Sequence, residues 1–308
     1  MKVLITGGTG FLGYHLHLQQ PKNIKATSIH NPADNQVKPS WIQSRAIDLN
    51  NHSAIKKTLN QLQPNAIIHT AGQSSVDWCE ENQDTAYELN VNASRNLAHY
   101  CQANNAHFIY ISSNAVYGGT KPLNKESDLP APKNFYGQTK LLVEQYLSQQ
   151  RHPYTVIRPN LMFGWTPPGG HDNQVTRTIQ ALTQKKPINV VNDTYFSPIS
   201  GDLCASAIWQ ILIHGKNGIF NVGSPNRLSL FNLSKLTAQV FNLDANLIKP
   251  ISHQDTSSNA PRAVDTSFNI SRLTSLLNFI PPGIPQQLQA MKKQAIRQSV
   301  TPSTQTNQ

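Results

Sequence analysis

The sequence is poor in cysteine and has no long apolar run, and each shortage excludes a class of protein. Its three cysteines have no CxxC spacing, and none of its histidines forms an HExxH or comparable set. An odd number of cysteines without ligand spacing predicts neither a disulfide framework nor a metal site. About 18 consecutive apolar residues, which a membrane-spanning helix needs, occur nowhere, and glycines interrupt the apolar residues near the start. We therefore expect no metal, no membrane span, no export and a cytoplasmic location.

Charge is also scarce, and what there is leans to one sign. Charged residues make up 14% of the chain and hydrophobic residues 38%, while 26 Lys and Arg against 16 Asp and Glu give a net charge of +10. This composition is typical of a folded globular body, and its positive field favours a phosphate-bearing ligand or a polyanion. The basic residues are scattered singly or in pairs without interleaved aromatic residues, so we expect no nucleic-acid binding.

Short apolar segments alternate with amphipathic stretches through the first half of the chain. The strands predicted there are Val3–Thr6, Lys25–Ile29, Ala66–His69, Phe108–Ser112 and Tyr154–Arg158. The helices predicted between them include Ser53–Leu62, about 85–104 and Thr139–Gln149. This alternation predicts an α/β fold with a doubly wound parallel sheet of the Rossmann type. A length of 308 residues exceeds one usual core, so a smaller C-terminal α/β substrate domain is expected as well.

The predicted domains follow from changes in this pattern. Residues 1–164 form the dinucleotide-binding domain, to which a segment near 200–223 returns. Residues 165–298 form most of the substrate-binding domain. The polar residues 299–308 have almost no apolar side chains, so we expect a disordered tail.

A glycine-rich turn follows the first predicted strand. Gly7, Gly10 and Gly13 stand in TGGTGFLG, where missing side chains permit a tight turn, close approach of a pyrophosphate, and close packing of helix on strand. The amide groups at the following helix N-terminus attract phosphate. We therefore predict a dinucleotide site here.

The end of the second strand bears on the choice of dinucleotide. Residues 28–31, Ser-Ile-His-Asn, offer no acidic side chain to hold the ribose hydroxyls of NAD. A carboxylate there would repel the 2′-phosphate of NADP, so its absence favours NADP, with NAD the alternative. Asp48 and Leu49, after another strand-like segment, are candidates to contact the adenine, and Asp48 is alternatively a helix cap.

A second group of residues has the composition of an acid–base site. Tyr136 and Lys140 in YGQTK lie four residues apart, which on a helix places both side chains on one face. We expect the Lys140 ammonium to lower the pKa of the Tyr136 phenol towards working pH, which suits proton transfer to a carbonyl that receives hydride. Ser113, after a predicted strand, is placed to hydrogen-bond that carbonyl oxygen.

These motifs together resemble the extended short-chain dehydrogenase/reductase superfamily. The resemblance is carried by TGGTGFLG, HTAG, ELNVNASRNL, ISSNAVYGG, YGQTK and IRPNLMFG, and extends to about Leu277. It implies a catalytic set of Ser113, Tyr136 and Lys140. It implies dinucleotide contacts from Gly7, Gly10, Phe11, Leu12, Asp48, Leu49, Ala71, Gly72, Asn90, Tyr136 and Lys140.

Within that superfamily the chain looks most like the dTDP-4-dehydrorhamnose reductase group. The segments SSVDWCEENQDTAYELN, DTYFSPISGDL and RAVDTSFNISRL carry this narrower likeness. The group usually has Asp-Tyr-Val-Phe where this chain has Asn-Ala-Val-Tyr at 114–117, a sequence more typical of sugar epimerases. A 4,6-dehydratase is disfavoured, because Asn114 and Ala115 cannot act as acid or base.

The resemblance also implies a substrate, a nucleotide-activated sugar. Its diphosphate would suit an arginine, and the candidates are Arg158, Arg227 and Arg262. Asn114, Asn160 and the proline- and glycine-bearing loop after Trp165, residues 166–170, are candidates for contacts with the sugar. We expect an NADP-dependent reductase that acts on a keto group of such a sugar. An NAD-dependent epimerase and a non-catalytic, NADP-binding regulatory subunit remain alternatives, and a homodimer is possible.

Overall fold

The structure is a computed structural model that describes residues 1–32, 42 and 44–300, with side chains as far as residue 295. The strands are β1 (Lys2–Thr6), β2 (Lys25–His30), β3 (Ser44–Ala46), β4 (Ala66–His69), β5 (His107–Ile111), β6 (Tyr154–Pro159), β7 (Met162–Phe163), β8 (Ile188–Val191), β9 (Tyr195–Phe196), β10 (Ile199–Ser200), β11 (Gly218–Val222), β12 (Leu228–Ser229) and β13 (Ile248–Ile251). The helices are α1 (Phe11–Leu18), α2 (His52–Leu62), α3 (Val76–Glu81), α4 (Gln83–Tyr87), α5 (Ala93–Ala103), α6 (Phe135–Ser148), α7 (Gln174–Thr183), α8 (Gly201–Ile213), α9 (Leu230–Phe241), α10 (Ser271–Leu277) and α11 (Ile284–Val300).

Seven parallel strands form the central sheet, in the order β11-β6-β5-β4-β1-β2-β3. The order runs outward in both directions from β1 and β4, which is the doubly wound arrangement. Strands such as β4 are buried along their whole length, because helices cover both faces of the sheet. The predicted Rossmann-type α/β fold is confirmed.

Two apolar cores lie on opposite faces of this sheet. One is formed by α1 and α8 and includes Leu12, Leu16 and Ile208. The other is formed by α2, α5 and α6 and includes Leu59 and Val143. Helix α6, which carries Tyr136 and Lys140, is therefore fixed on one face, and the glycine turn leads into a helix on the other.

The segment predicted to return to the sheet does so through α8 and β11. Strand β11 pairs with β6 in parallel, and the Trp209 indole N–H on α8 donates to the Leu16 carbonyl on α1 at 2.9 Å. The remaining C-terminal elements have a core of their own between α7, α9 and α11, with Phe163, Val175 and Leu233 among its buried residues.

At the C-terminus, helix α11 extends through Ser299 and Val300, the first two residues of the predicted tail. The rest of that tail, 301–308, lies outside the described residues. Among the residues that are described, no helix combines the length and the apolar character that crossing a bilayer requires.

Helix α6 begins earlier than the apolar pattern predicts, at Phe135 instead of Thr139. The side-chain oxygen of Asn134 caps it by accepting the Gly137 N–H at 2.9 Å. A π-helical turn at Glu88–Asn92 joins α4 to α5, within the single helix predicted from about 85 to 104. Helix α3 was not predicted. Both α3 and the start of α6 bear on the site described next.

Candidate active site

The glycine turn closes tightly against the end of β4. Gly7 has a φ of +69°, and a Cβ there would lie 2.8 Å from the Ala71 nitrogen. Gly10 is the N-cap of α1 and provides no side-chain hydrogen bond to the amides of its first turn. Those amides are left to bind an anion, since a helix N-terminus has donors without intrahelical partners.

A crevice of about 850 Å³ opens at the carboxyl ends of the sheet strands. It is bounded by the glycine turn, the ends of β2, β4, β5 and β6, and the loop at 167–171. Most of the predicted dinucleotide contacts line it, namely Gly7, Gly10, Phe11, Leu12, Asp48, Leu49, Ala71, Gly72, Tyr136 and Lys140. The glycine cradle and the uncapped helix fit a dinucleotide. Within the described ranges, no group of three His, Cys, Asp or Glu side chains is arranged to hold a metal ion.

Two predicted dinucleotide contacts support the crevice without lining it. A Cβ on Gly13 would lie 2.4 Å from the Gly7 carbonyl oxygen, so this glycine permits α1 to pack against the turn. The Asn90 side chain accepts the Gln73 N–H at 2.8 Å and donates to the Gln73 carbonyl at 3.0 Å. Asn90 thus holds the loop after β4, and this structure does not support a direct dinucleotide contact from Gly13 or Asn90.

The three predicted catalytic residues all line this crevice. Ser113 follows β5, and Tyr136 and Lys140 lie on α6. The Lys140 ammonium donates to the Ile111 carbonyl at 3.0 Å and lies 5.7 Å from the centre of the Tyr136 ring. Ser113 Oγ accepts the Ala115 N–H at 3.1 Å. Phenol, ammonium and hydroxyl therefore meet at one end of the dinucleotide crevice.

Burial sets the protonation of this set. It raises the pKa of Tyr136 to about 12, a shift that a hydrogen bond with Ser113 partly offsets. It lowers the pKa of Lys140 to about 8, against the opposing charges of Cys79 and Glu144. The expected lowering of the Tyr136 pKa by Lys140 is not found in this structure, because burial is the largest effect on the pKa and Lys140 is not among the groups that offset it. At neutral pH Tyr136 is a proton donor.

The polar end of the crevice near β2 has a distinct composition. Thr9, His30 and Asn31 line it beside the glycine turn, with Asp48 further along. Asp48 accepts the Asn50 N–H at 2.9 Å, and Asn51, not Asp48, caps α2 through the Ala54 N–H. The described residues that directly follow β2 present no carboxylate, as the sequence predicts.

Two asparagines form the opposite wall, and both bind a C-terminal segment. The Asn114 amide donates to the Thr266 hydroxyl at 2.6 Å. The Asn160 amide donates to the Thr266 carbonyl at 2.8 Å, and its oxygen accepts the Ser197 N–H at 2.9 Å. Asn114 and Asn160 line the crevice, where substrate contacts were predicted. Their hydrogen bonds also hold the segment around Thr266 against this wall.

The three arginines predicted to meet a substrate diphosphate do not line the crevice. Arg158 is 1% exposed and pairs with Glu144 in the interior. Arg227 lies over the Tyr195 ring and pairs with Asp265. These placements do not support a diphosphate contact from Arg158 or Arg227, because each guanidinium lies outside the crevice and pairs with a carboxylate.

Arg262 is the third of these arginines and is similarly engaged. It pairs with Asp77 on α3 at 2.8 Å, and both side chains are about half exposed. This pair joins the segment before Thr266 to helix α3.

Several crevice residues were not predicted from the sequence. They are Thr9, Thr70, Gln73, Ser74, Leu89, Met162 and His171. The loop after Trp165, which was expected near the sugar, lines the crevice through Pro167, Pro168, Gly169 and Gly170. Its turn is closed by the Gly170 N–H, which donates to the Pro167 carbonyl.

Comparisons with other proteins agree with this geometry. The methionine adenosyltransferase 2 subunit beta of Bos taurus is 28% identical over 281 residues, 89% of this chain and 82% of that protein. A hypothetical dTDP-4-dehydrorhamnose reductase from Sulfolobus tokodaii has a crystal structure that matches with a TM-score of 0.81 and 26% identity, covering 92% of this chain and 98% of that one. The dTDP-4-dehydrorhamnose reductase of Bacillus anthracis, solved in complex with NADP, matches with a TM-score of 0.80 and 25% identity over 95% of this chain and 99% of that one. The model of the RmlD substrate binding domain family matches residues 1–296, and the chain belongs to that family.

Proposed function

We propose that this protein is an NADP-dependent reductase that acts on a keto group of a nucleotide-activated sugar. The observation that carries the proposal is the meeting of Ser113, Tyr136 and Lys140 in the crevice that begins at the glycine turn. A bound dinucleotide and a carbonyl substrate would share that crevice. The similarity to dTDP-4-dehydrorhamnose reductases supports the substrate class.

The chain's own residues supply the proton chemistry, while a reduced nicotinamide, when bound, supplies the hydride. Tyr136 is protonated at neutral pH because its pKa is raised to about 12. Its hydroxyl donates a proton to the carbonyl oxygen as that oxygen becomes an alkoxide, a stronger base than the phenolate left behind. Ser113 hydrogen-bonds the same oxygen. The Lys140 ammonium stabilises the phenolate, since an opposite charge nearby favours the charged form.

NADP is favoured over NAD by the crevice wall near β2. Thr9, His30 and Asn31 line it, and none of these three described residues carries a carboxylate that would repel a 2′-phosphate. The net charge of +10 acts in the same direction. The Bacillus anthracis relative was solved with NADP, which supports the same choice.

Loss of NADPH absorbance with a dTDP-4-keto sugar tests the proposal. Tyr136→Phe should reduce turnover by about 10²-fold or more and still bind NADPH, because the ring remains. Tyr146→Phe, on the same helix but away from the crevice, is the matched control and should keep full turnover. Normal turnover by Tyr136→Phe would refute the mechanism. An absence of NADPH consumption by the wild-type protein across keto sugar nucleotides would refute the function.

A second candidate is a regulatory subunit that binds NADP without turnover. It is favoured by the similarity to the methionine adenosyltransferase 2 subunit beta over 89% of this chain. The test mixes the purified chain with a purified methionine adenosyltransferase catalytic subunit and measures co-elution and the rate of synthesis. A stoichiometric complex, unchanged by Tyr136→Phe, together with no keto sugar reduction, would favour this candidate over the reductase.

A further inference from the structure

A buried ion pair lies directly behind the catalytic set. Glu144 on α6 is 5% exposed and Arg158 on β6 is 1% exposed. The Arg158 guanidinium donates to both carboxylate oxygens of Glu144, through Nε at 2.9 Å and through the second nitrogen Nη2. Neither residue lines the crevice, so neither touches substrate or dinucleotide.

The pair is bonded to the elements that carry or adjoin the catalytic residues and the two wall asparagines. Ser112, the residue before Ser113, donates its hydroxyl to Glu144. Arg158 Nη1 donates to the Tyr117 hydroxyl at 2.6 Å, and Tyr117 ends the short 3₁₀ turn that begins at Asn114. One cluster therefore joins the end of β5, the turn after it, helix α6 and the end of β6.

Helical spacing places Glu144 one turn beyond Lys140, on the same face of α6. Lys140 itself reaches the last residue of β5 by donating to the Ile111 carbonyl at 3.0 Å. Lys140 and Glu144, one helical turn apart on α6, are therefore hydrogen-bonded to two adjacent residues at the end of β5, Ile111 and Ser112. The separation between Ser113 and the Tyr136–Lys140 face of α6 depends on both contacts.

We propose that Glu144 and Arg158 are positioning residues, whose buried pair fixes Ser113 after β5, Lys140 on α6 and Asn160 after β6 in one reactive geometry. The inference rests on the proposed reductase function. Stability alone is a weak reason for such a pair, because a buried ion pair replaced by apolar residues of similar volume is often equally stable. A displacement of about 1 Å, in contrast, lowers turnover by about 10²-fold.

The pair also affects the charge on Lys140. The Glu144 carboxylate raises the pKa of Lys140 against the effect of burial. The groups that face Lys140 from the surrounding elements are His69 on β4, Cys79 on α3, Tyr110 on β5, and Tyr136 and Glu144 on α6. Removing the charge of Glu144 should therefore shift the titration of Lys140 to lower pH.

The main test is the double variant Glu144→Leu/Arg158→Met, which removes both charges and keeps most of the volume. We expect a melting temperature and an NADPH affinity close to those of the wild type, with kcat lowered about 10- to 100-fold. Full kcat in the folded double variant would overturn the proposal.

Should that variant fail to fold, Ser112→Ala is the second test, since it removes one hydrogen bond of the cluster. Its control is Thr237→Val on α9, which removes a buried hydroxyl that donates to the Leu233 carbonyl. Turnover per NADPH-binding site should fall for Ser112→Ala alone, and an equal effect of the two substitutions would overturn the proposal.

A readout without turnover separates this inference from the proposed function. Lys140 is acetylated competitively with acetic anhydride across pH, and its labelling is followed by mass spectrometry in the wild type and in Glu144→Gln. The midpoint should fall by about half a unit, because an attractive charge is removed. A wild type that reduces no keto sugar refutes the proposed function only. An unchanged midpoint in Glu144→Gln refutes the coupling of Glu144 to Lys140 whether or not turnover is seen.

Discussion

The side chain of Asn90 makes a reciprocal pair of hydrogen bonds with the backbone of Gln73. Its oxygen accepts the Gln73 N–H at 2.8 Å and its amide donates to the Gln73 carbonyl at 3.0 Å. Asn90 lies in the π-helical turn between α4 and α5, a kind of irregularity that occurs often at functional sites. The π-helical turn places the buried Asn90 amide against the loop that follows β4. Gly72 in that loop has a φ of +148° and no side chain, which leaves room for the amide.

Asn90→Ala should loosen the crevice without removing a ligand contact. Loss of both bonds leaves the Gln73 backbone groups unpaired, at a cost of about 1–3 kcal/mol in the free energy of unfolding. We expect the Kd for NADPH, measured by fluorescence titration, to rise about tenfold. Asn92→Ala, which removes an exposed bond to Glu88 on the same turn, is the control. Equal NADPH affinities in the two variants would contradict the role of Asn90.

Gly13→Ala should weaken both folding and dinucleotide binding. Alanine is normally favoured over glycine within a helix by about 1 kcal/mol, but here its Cβ would lie 2.4 Å from the Gly7 oxygen. Relief of that overlap must move α1 away from the turn. We expect a loss of about 1–3 kcal/mol in chemical denaturation and a large loss of NADPH affinity.

Gly10→Ala is the informative comparison for Gly13. Its Cβ would have a single close neighbour, the Gly7 oxygen at 3.3 Å, so the fold should be kept. NADPH binding should still weaken, because a methyl group is placed where the pyrophosphate approaches the backbone. A Gly13→Ala variant that is more stable than the wild type would show that α1 does not need this close approach.

The parts of the fold that sequence predicts best are those determined by short-range pattern. Strand β4 was predicted with its observed bounds, because a short apolar run, here three residues and a buried histidine, that ends at a turn has few alternatives. The glycine turn and the YGQTK spacing likewise placed Tyr136 and Lys140 correctly beside the crevice. Each of these signals lies within about ten residues of sequence.

What sequence did not predict depends on contacts between distant residues. Arg158 was proposed as a phosphate ligand, but its partner Glu144 lies on another element and is found only in the folded chain. Helix α3 has six residues, too few to show an apolar period. The raised pKa of Tyr136 was missed for the same reason, since desolvation depends on everything packed around the phenol.

Arg262→Gln should have little effect on substrate kinetics. Its guanidinium pairs with Asp77 outside the crevice, and exposed pairs contribute little to stability. We expect KM for the keto sugar nucleotide to stay within about threefold of the wild type. Asn114→Ala, which removes a polar group from the crevice wall, should lower kcat/KM about tenfold. A tenfold increase in KM from Arg262→Gln in steady-state assays would place Arg262 in the substrate site.

Lys140→Met should produce a protein that is more stable and catalytically inactive. Burial lowers the pKa of Lys140 from 10.5 to about 8, so below pH 8 the folded protein holds an ammonium that the unfolded chain hydrates better. Burial of this charge costs at most about 3 kcal/mol in the free energy of unfolding, and the hydrogen bond to the Ile111 carbonyl offsets part of that cost.

Between pH 8 and 10.5 the unfolded chain binds more protons than the folded one, so the stability of the wild type rises with pH through this window. The advantage of Lys140→Met in urea denaturation should therefore be largest at neutral pH and shrink towards pH 10.5. An advantage that does not change across that window would mean that Lys140 is not a buried ammonium at neutral pH, and its role in stabilising the phenolate of Tyr136 would lose its basis.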